Sequence, residues 1–137
     1  MARSIVSSEK LVADAMNQIE TIDIDAAQKL LGSDDLVFVD IRDIRELAKG
    51  GKIPGAVHAP RGMLEFWIDP QSPYFREEFD TDKKLILYCA AGWRSALATK
   101  TLQDMGVEKI AHIGGGFNAW SEADGPVELK EKKPKSD

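Results

Sequence analysis

Residues 88–95 read Tyr88-Cys89-Ala90-Ala91-Gly92-Trp93-Arg94-Ser95. Before the cysteine, Leu85-Ile86-Leu87-Tyr88 is a short apolar run of the kind that forms a buried strand. After the loop, Ala96, Leu97, Ala98, Leu102 and Met105 recur at helical spacing, and Gly106 stands where a C-cap glycine belongs. The stretch therefore predicts a cysteine at the end of a buried strand, followed by a tight loop that turns into a helix. The first N–H groups of a helix have no intrahelical partner, and the helix dipole adds partial positive charge there. A thiolate at that point is stabilised, as is any anion bound beside it. Gly92 opens backbone angles closed to other residues, so several N–H groups can face one centre.

Working outward, strands and helices alternate. Glu9 to Ile19 predicts a helix with Val12, Met16 and Ile19 on one face, laid over the domain as packing. Thr21-Ile22-Asp23-Ile24 predicts an edge strand, and Asp25 an N-cap for a short helix from Ala26 to Leu31 that stops at Gly32. Leu36-Val37-Phe38-Val39 predicts a second buried strand, ending at Asp40-Ile41-Arg42. Asp43 and Glu46 have capping-box spacing and open the next helix. Pro54-Gly55 signals a type II turn, and Ala56-Val57-His58 a very short strand. A helix from Gly62 to Ile68 is expected next, then a polar loop from Asp69 to Pro73, with no element assigned from there to Asp82. Lys109-Ile110-Ala111-His112 predicts the last strand, and Gly114-Gly115-Gly116 a turn into a final helix carrying Trp120. From Glu128 the charge-dense tail reads as disordered.

The expected division is a helical extension over residues 1–20, one domain over 21–127 and a tail over 128–137. The alternation predicts an α/β fold with a mostly parallel sheet covered by helices on both faces. Ligands of such sheets bind beyond the C-terminal strand ends. Asp40, His58, Cys89 and the Gly114 turn all fall there.

The net charge of −5 argues against nucleic-acid binding and against a basic membrane-docking surface. Cys89 is the only cysteine, so no intrachain disulfide forms and a reducing compartment is favoured. Nothing is long and apolar enough to span a bilayer, and the N-terminus does not read as a targeting peptide. A cytoplasmic protein is the expectation. Two histidines and one cysteine without ligand-like spacing predict no metal site. The glycine triplet lacks the spacing of a dinucleotide site, so no cofactor is expected.

Cys89, in a strand-to-helix loop with glycine and arginine, is read as a nucleophile, because that environment activates thiols. Arg94 is expected to meet substrate charge, and Trp93 to stand at the pocket mouth. Asp40 and Arg42 are read as supports that fix neighbouring loops. Neither His58 nor His112 is read as a catalytic base.

From about Thr21 to Trp120 the chain resembles single-domain rhodanese-like sulfurtransferases. The resemblance rests on three stretches in order: Val39-Asp40-Ile41-Arg42 with Ile53-Pro54-Gly55-Ala56, the loop from Cys89 to Arg94, and Gly114-Gly115-Gly116 with Trp120. It implies a five-stranded parallel sheet with helices on both faces, and a cysteine that carries sulfur as a persulfide. Cys89 takes that position. The backbone amides of Ala90, Ala91, Gly92, Trp93, Arg94 and Ser95 take the cradle positions, with Arg94 as the loop's basic residue. Members with a very basic loop are associated with thiosulfate, whereas Ala90 and Ala91 stand here.

The chemistry this implies is attack by the Cys89 thiolate on a sulfane donor such as thiosulfate, then transfer to a thiophilic acceptor, cyanide or a thiol. With no second cysteine the acceptor must come from outside, as a small molecule or a protein. Two other classes stay open: a phosphatase or arsenate reductase using the same thiolate, and a non-catalytic module whose loop docks a partner. Cysteine-dependent phosphatases need an arginine six positions after the cysteine. That position holds Ser95, and Arg94 comes one residue early. The shorter ring suits a single sulfur atom and is narrow for a phosphoryl group.

Overall fold

Strands that are apolar on both faces must be covered on both sides, and the chain supplies a helix after almost every strand. The computed structural model describes residues 3–129. Its strands are β1 (Thr21–Ile22), β2 (Leu36–Asp40), β3 (Val57–His58), β4 (Lys84–Tyr88) and β5 (Ile110–Ile113). Its helices are α1 (Ser8–Met16), α2 (Ile24–Lys29), α3 (Ile44–Gly50), α4 (Leu64–Ile68), α5 (Trp93–Asp104) and α6 (Gly116–Glu122). The strands form one five-stranded sheet in the order β1-β5-β4-β2-β3. Every neighbouring pair is parallel. The expected fold class is the observed one, with a sheet that is wholly rather than mostly parallel.

Alternation along the strands divides the core between the two faces. Phe38, Ile86, Tyr88, Ala111 and Ile113 pack with Ala27 of α2 and with Phe117 and Trp120 of α6. Val39, Leu85, Leu87 and Ile110 face the other way, against Leu64 of α4 and Ala98 and Leu102 of α5. Each buried Val, Leu, Ile or Phe among them contributes roughly 1.5–3 kcal/mol. Helix α1 lies against α5 and buries Val12 and Ala15, with Met16 at its end partly exposed.

Several boundaries differ from the sequence expectation. Strand β1 is at the sheet edge but only two residues long, because the Asp23 carboxylate accepts the Ala26 N–H at 2.8 Å and starts α2. Asp23, not Asp25, is therefore the N-cap, and Asp25 sits in the first turn. The helix expected from Gly62 begins as a 3-10 turn, Arg61–Met63, that runs into α4. The unassigned stretch before Asp82 holds a second 3-10 turn, Glu77–Phe79, anchored by the buried ring of Phe79. The expected tail boundary falls at a short bridge: the backbones of Lys52 and Glu128 exchange two hydrogen bonds, at 3.0 and 2.8 Å. The rest of that tail, residues 130–137, lies outside the described residues.

Register then positions the site. Asp40 aligns with Tyr88 on one side and His58 on the other, and Leu87 aligns with His112. The segments leaving β2, β3, β4 and β5 accordingly depart from one edge of the sheet.

Candidate active site

Cys89 follows β4 directly and is 1% exposed. Gly92, at φ 111°, turns the chain into α5 without a side-chain cap. The backbone N–H groups of Gly92 and Ser95 donate to Cys89 Sγ at 3.1 and 3.3 Å. Among the described residues these are the two amides of the six expected that reach the sulfur itself. The sulfur thus sits where amide hydrogens and the α5 dipole converge, an arrangement that favours negative charge.

The opposite side of the loop is fixed by α6. Phe117 N–H donates to the carbonyl of Cys89 at 2.8 Å, and Asn118 N–H to that of Ala90 at 3.0 Å. The free donors at the start of one helix thereby satisfy the carbonyls of the active loop. Gly116 makes the approach possible: it has φ +58°, and a Cβ there would lie 2.4 Å from the Cys89 carbonyl oxygen.

Asp40 and Arg42 form a buried pair between the loops. Arg42 Nη2 and Nε donate to the Asp40 carboxylate at 2.7 and 3.0 Å, and the Arg42 backbone N–H adds a third bond at 3.0 Å. The guanidinium also donates to the Gly51 carbonyl at 2.7 Å and lies 4.3 Å from the centroid of the Phe117 ring. It joins the segment after β2, the end of α3 and the start of α6.

Arg94, the residue expected to meet substrate charge, makes two 2.9 Å hydrogen bonds to Glu46. The reason lies in α3. Glu46 accepts the Asp43 N–H at 2.8 Å in the expected capping box, which holds its carboxylate at the helix start within reach of the loop. The Arg94 hydrogen bonds keep the Glu46 carboxyl below the usual carboxylate range. The cationic charge of the loop is thereby offset. Trp93, the first residue of α5, is 53% exposed.

The histidines separate. His58 Nε2 meets the Arg42 carbonyl at 2.7 Å and braces that loop. His112, set aside in the sequence reading, connects to the nucleophile. Its Nδ1 lies 2.9 Å from Ser95 Oγ, which lies 3.5 Å from Cys89 Sγ. Its Nε2 lies 3.0 Å from Thr21 Oγ1 and 3.2 Å from Met16 Sδ. Burial pushes its pKa down to about 4. A signal was present in the sequence: a histidine inside a fully buried strand must find partners for both ring nitrogens.

The chain has relatives among known proteins. A family model described as the rhodanese-like domain matches residues 23–123. The chain is 32% identical to rhodanese-like domain-containing protein 17 of Arabidopsis thaliana, over 88% of this chain and 80% of that protein. It is 29% identical to a sulfurtransferase of Allochromatium vinosum, over 82% of this chain and 94% of that one. A solved structure from Rhodopseudomonas palustris, of a protein of unknown function described as a possible tyrosine phosphatase, is 52% identical. It superimposes with a TM-score of 0.89, covering 93% of this chain and 99% of that one. With its parallel sheet, its cysteine loop at the head of α5 and these relatives, the chain belongs to the rhodanese-like sulfurtransferase family.

Proposed function

We propose that the protein transfers a sulfane sulfur through a persulfide on Cys89, from thiosulfate or a related persulfide donor to cyanide or a thiol. The observation that carries this reading is the Cys89 sulfur itself, held by two backbone amides at the head of α5. The thiolate attacks the outer sulfur of the donor. A new S–S bond forms as the donor's S–S bond breaks, and sulfite or a thiolate leaves with the electron pair. The outer sulfur of Cys–S–S⁻ then projects beyond Sγ, where the remaining amides of the loop and first turn, from Ala90 to Arg94, stabilise its charge. The acceptor attacks that sulfur and returns the thiolate.

Because Glu46 offsets Arg94, the loop suits a monoanionic persulfide better than dianionic thiosulfate. The Asp40–Arg42 pair holds the loops, and Trp93 borders the mouth. No helix among the described residues is long and apolar enough to cross a membrane. One cysteine and no disulfide fit a reducing, cytoplasmic setting.

The test is the intact mass of the reduced protein after incubation with thiosulfate or a small-molecule persulfide. One added sulfur, removed by cyanide and absent in Cys89→Ser, is expected. An unchanged mass with both donors would sink the proposal. A phosphatase reading has the Rhodopseudomonas palustris relative in its favour, but Ser95 at the sixth position cannot supply the bidentate charge of an arginine. Negligible hydrolysis of an aryl phosphate is therefore expected. Hydrolysis faster than sulfur transfer, lost in Cys89→Ser, would reverse the assignment.

A further inference from the structure

We infer that Ser95, His112 and Thr21 form a relay that carries the thiol proton of Cys89 out of the closed site to solvent at the edge of the sheet. This deepens the proposed function, since sulfur loading needs the thiolate.

The path is continuous. Cys89 and His112 are each 1% exposed and Ser95 is fully buried, whereas Thr21 is exposed on the edge strand β1. The steps are 3.5 Å from Sγ to Ser95 Oγ, 2.9 Å on to His112 Nδ1, and 3.0 Å from Nε2 to Thr21 Oγ1. Ser95 Oγ has a competing acceptor in the Gly92 carbonyl, at the longer distance of 3.3 Å. The ring faces Ser95 from α5, Met16 from α1 and Thr21 from β1, none of them charged. The Glu20 carboxylate, next to Thr21 in sequence, is paired with Lys84, and strand alternation places it on the opposite face. Burial keeps the imidazole neutral, so one ring nitrogen holds a proton and the other is bare.

The protons balance in one direction. With a thiol, S–H donates to Ser95 Oγ, Ser95 O–H to His112 Nδ1, and His112 Nε2–H to Thr21 Oγ1. A shift of each proton by one bond leaves S⁻ accepting from Ser95, Nδ1–H donating to Ser95 and Nε2 accepting from Thr21. One proton passes from Thr21 to water. Thiol ionisation therefore switches the His112 tautomer from Nε2–H to Nδ1–H.

Nitrogen NMR of the histidine rings tests this on the full chain, with thiolate formation followed by its ultraviolet absorbance. The protein has two histidines, so His58 serves as the internal control. His112 is expected to change tautomer together with the thiolate signal, and to stay fixed in Cys89→Ala. His112→Asn keeps a hydrogen bond to Ser95 but has no second ring nitrogen to pass the proton on. It is expected to slow sulfur loading on the order of 10²-fold. Thr21→Val should slow loading too, when the rate is divided by the folded fraction, whereas Thr21→Ser, which keeps the hydroxyl, should load like the native protein. A single His112 tautomer across the titration would overturn the relay. So would wild-type loading in His112→Asn, which would leave His112 a brace for Ser95. If the native protein takes up no sulfur while the tautomer still switches, the proposed function fails and the relay stands.

Discussion

Replacing Asp40 with alanine should remove more stability than chemistry. Asp40 is fully buried and accepts from Arg42 through side chain and backbone, at 2.7 to 3.0 Å. Without the carboxylate, a guanidinium whose side chain is 5% exposed keeps the Gly51 carbonyl and the faces of Phe117 and Tyr88. Arginine cannot shed its proton to escape this situation. Breaking a buried pair from one side costs about 3–5 kcal/mol, a large part of a native stability of about 5–15 kcal/mol. With a urea slope of about 1.5 kcal/mol per molar, the unfolding midpoint should fall by roughly 2–3 M. Sulfur transfer, measured without denaturant and divided by the folded fraction, should fall by less than about tenfold, which corresponds to ~1.4 kcal/mol of barrier. The Asp40→Ala, Arg42→Met double variant should recover much of the midpoint, because no unpaired charge remains buried. An unchanged midpoint with dead chemistry would refute the supporting role and make Asp40 part of the reaction.

Three further outcomes follow from the same geometry. Glu46→Gln should free Arg94 and lower KM for thiosulfate several-fold while leaving neutral sulfane donors unchanged; equal effects on both would show that Arg94 does not sense donor charge. His112 is neutral in the fold well below the pH at which it protonates when unfolded, so its contribution is complete above pH 6.5 and declines as pH falls towards about 4. That loss amounts to ~3 kcal/mol, and denaturant melts of His112→Asn should lack this part of the acid sensitivity. Gly116→Ala combines a left-handed backbone, at about 1–2 kcal/mol, with loss of two hydrogen bonds at about 1 kcal/mol each. Calorimetry should show a clearly lower melting temperature, and native-like melting would mean that the loop shifts to admit the methyl group.

The strand-loop-helix around Cys89 was legible because three independent signals coincide there: an apolar run, a glycine with a special backbone angle, and helical spacing afterwards. The capping box at Asp43 and Glu46 was equally local and equally readable. What escaped was non-local. Nothing near Arg94 in the sequence announces that Glu46, 48 residues earlier, will neutralise it. His112 likewise meets Ser95 only because β5 lies beside β4 and beneath α5. Asp23 and Asp25 offered the same local chemistry, and the two-residue pairing of β1 with β5 selected the earlier one as cap.

The bonds between α6 and the active loop also set which way two peptide planes face. A trans peptide carries its N–H and C=O on opposite sides. When Phe117 and Asn118 draw in the carbonyls of Cys89 and Ala90, the N–H groups of Ala90 and Ala91 turn the other way, away from α6. The polarity of the loop is thus imposed by a helix that follows the last strand. Phe117 and Trp120 of that helix also complete the core on one face of the sheet. In a domain that folds cooperatively, the closing of that core and the aiming of the loop's amides are therefore one event: the sheet cannot be whole while the cradle is misdirected.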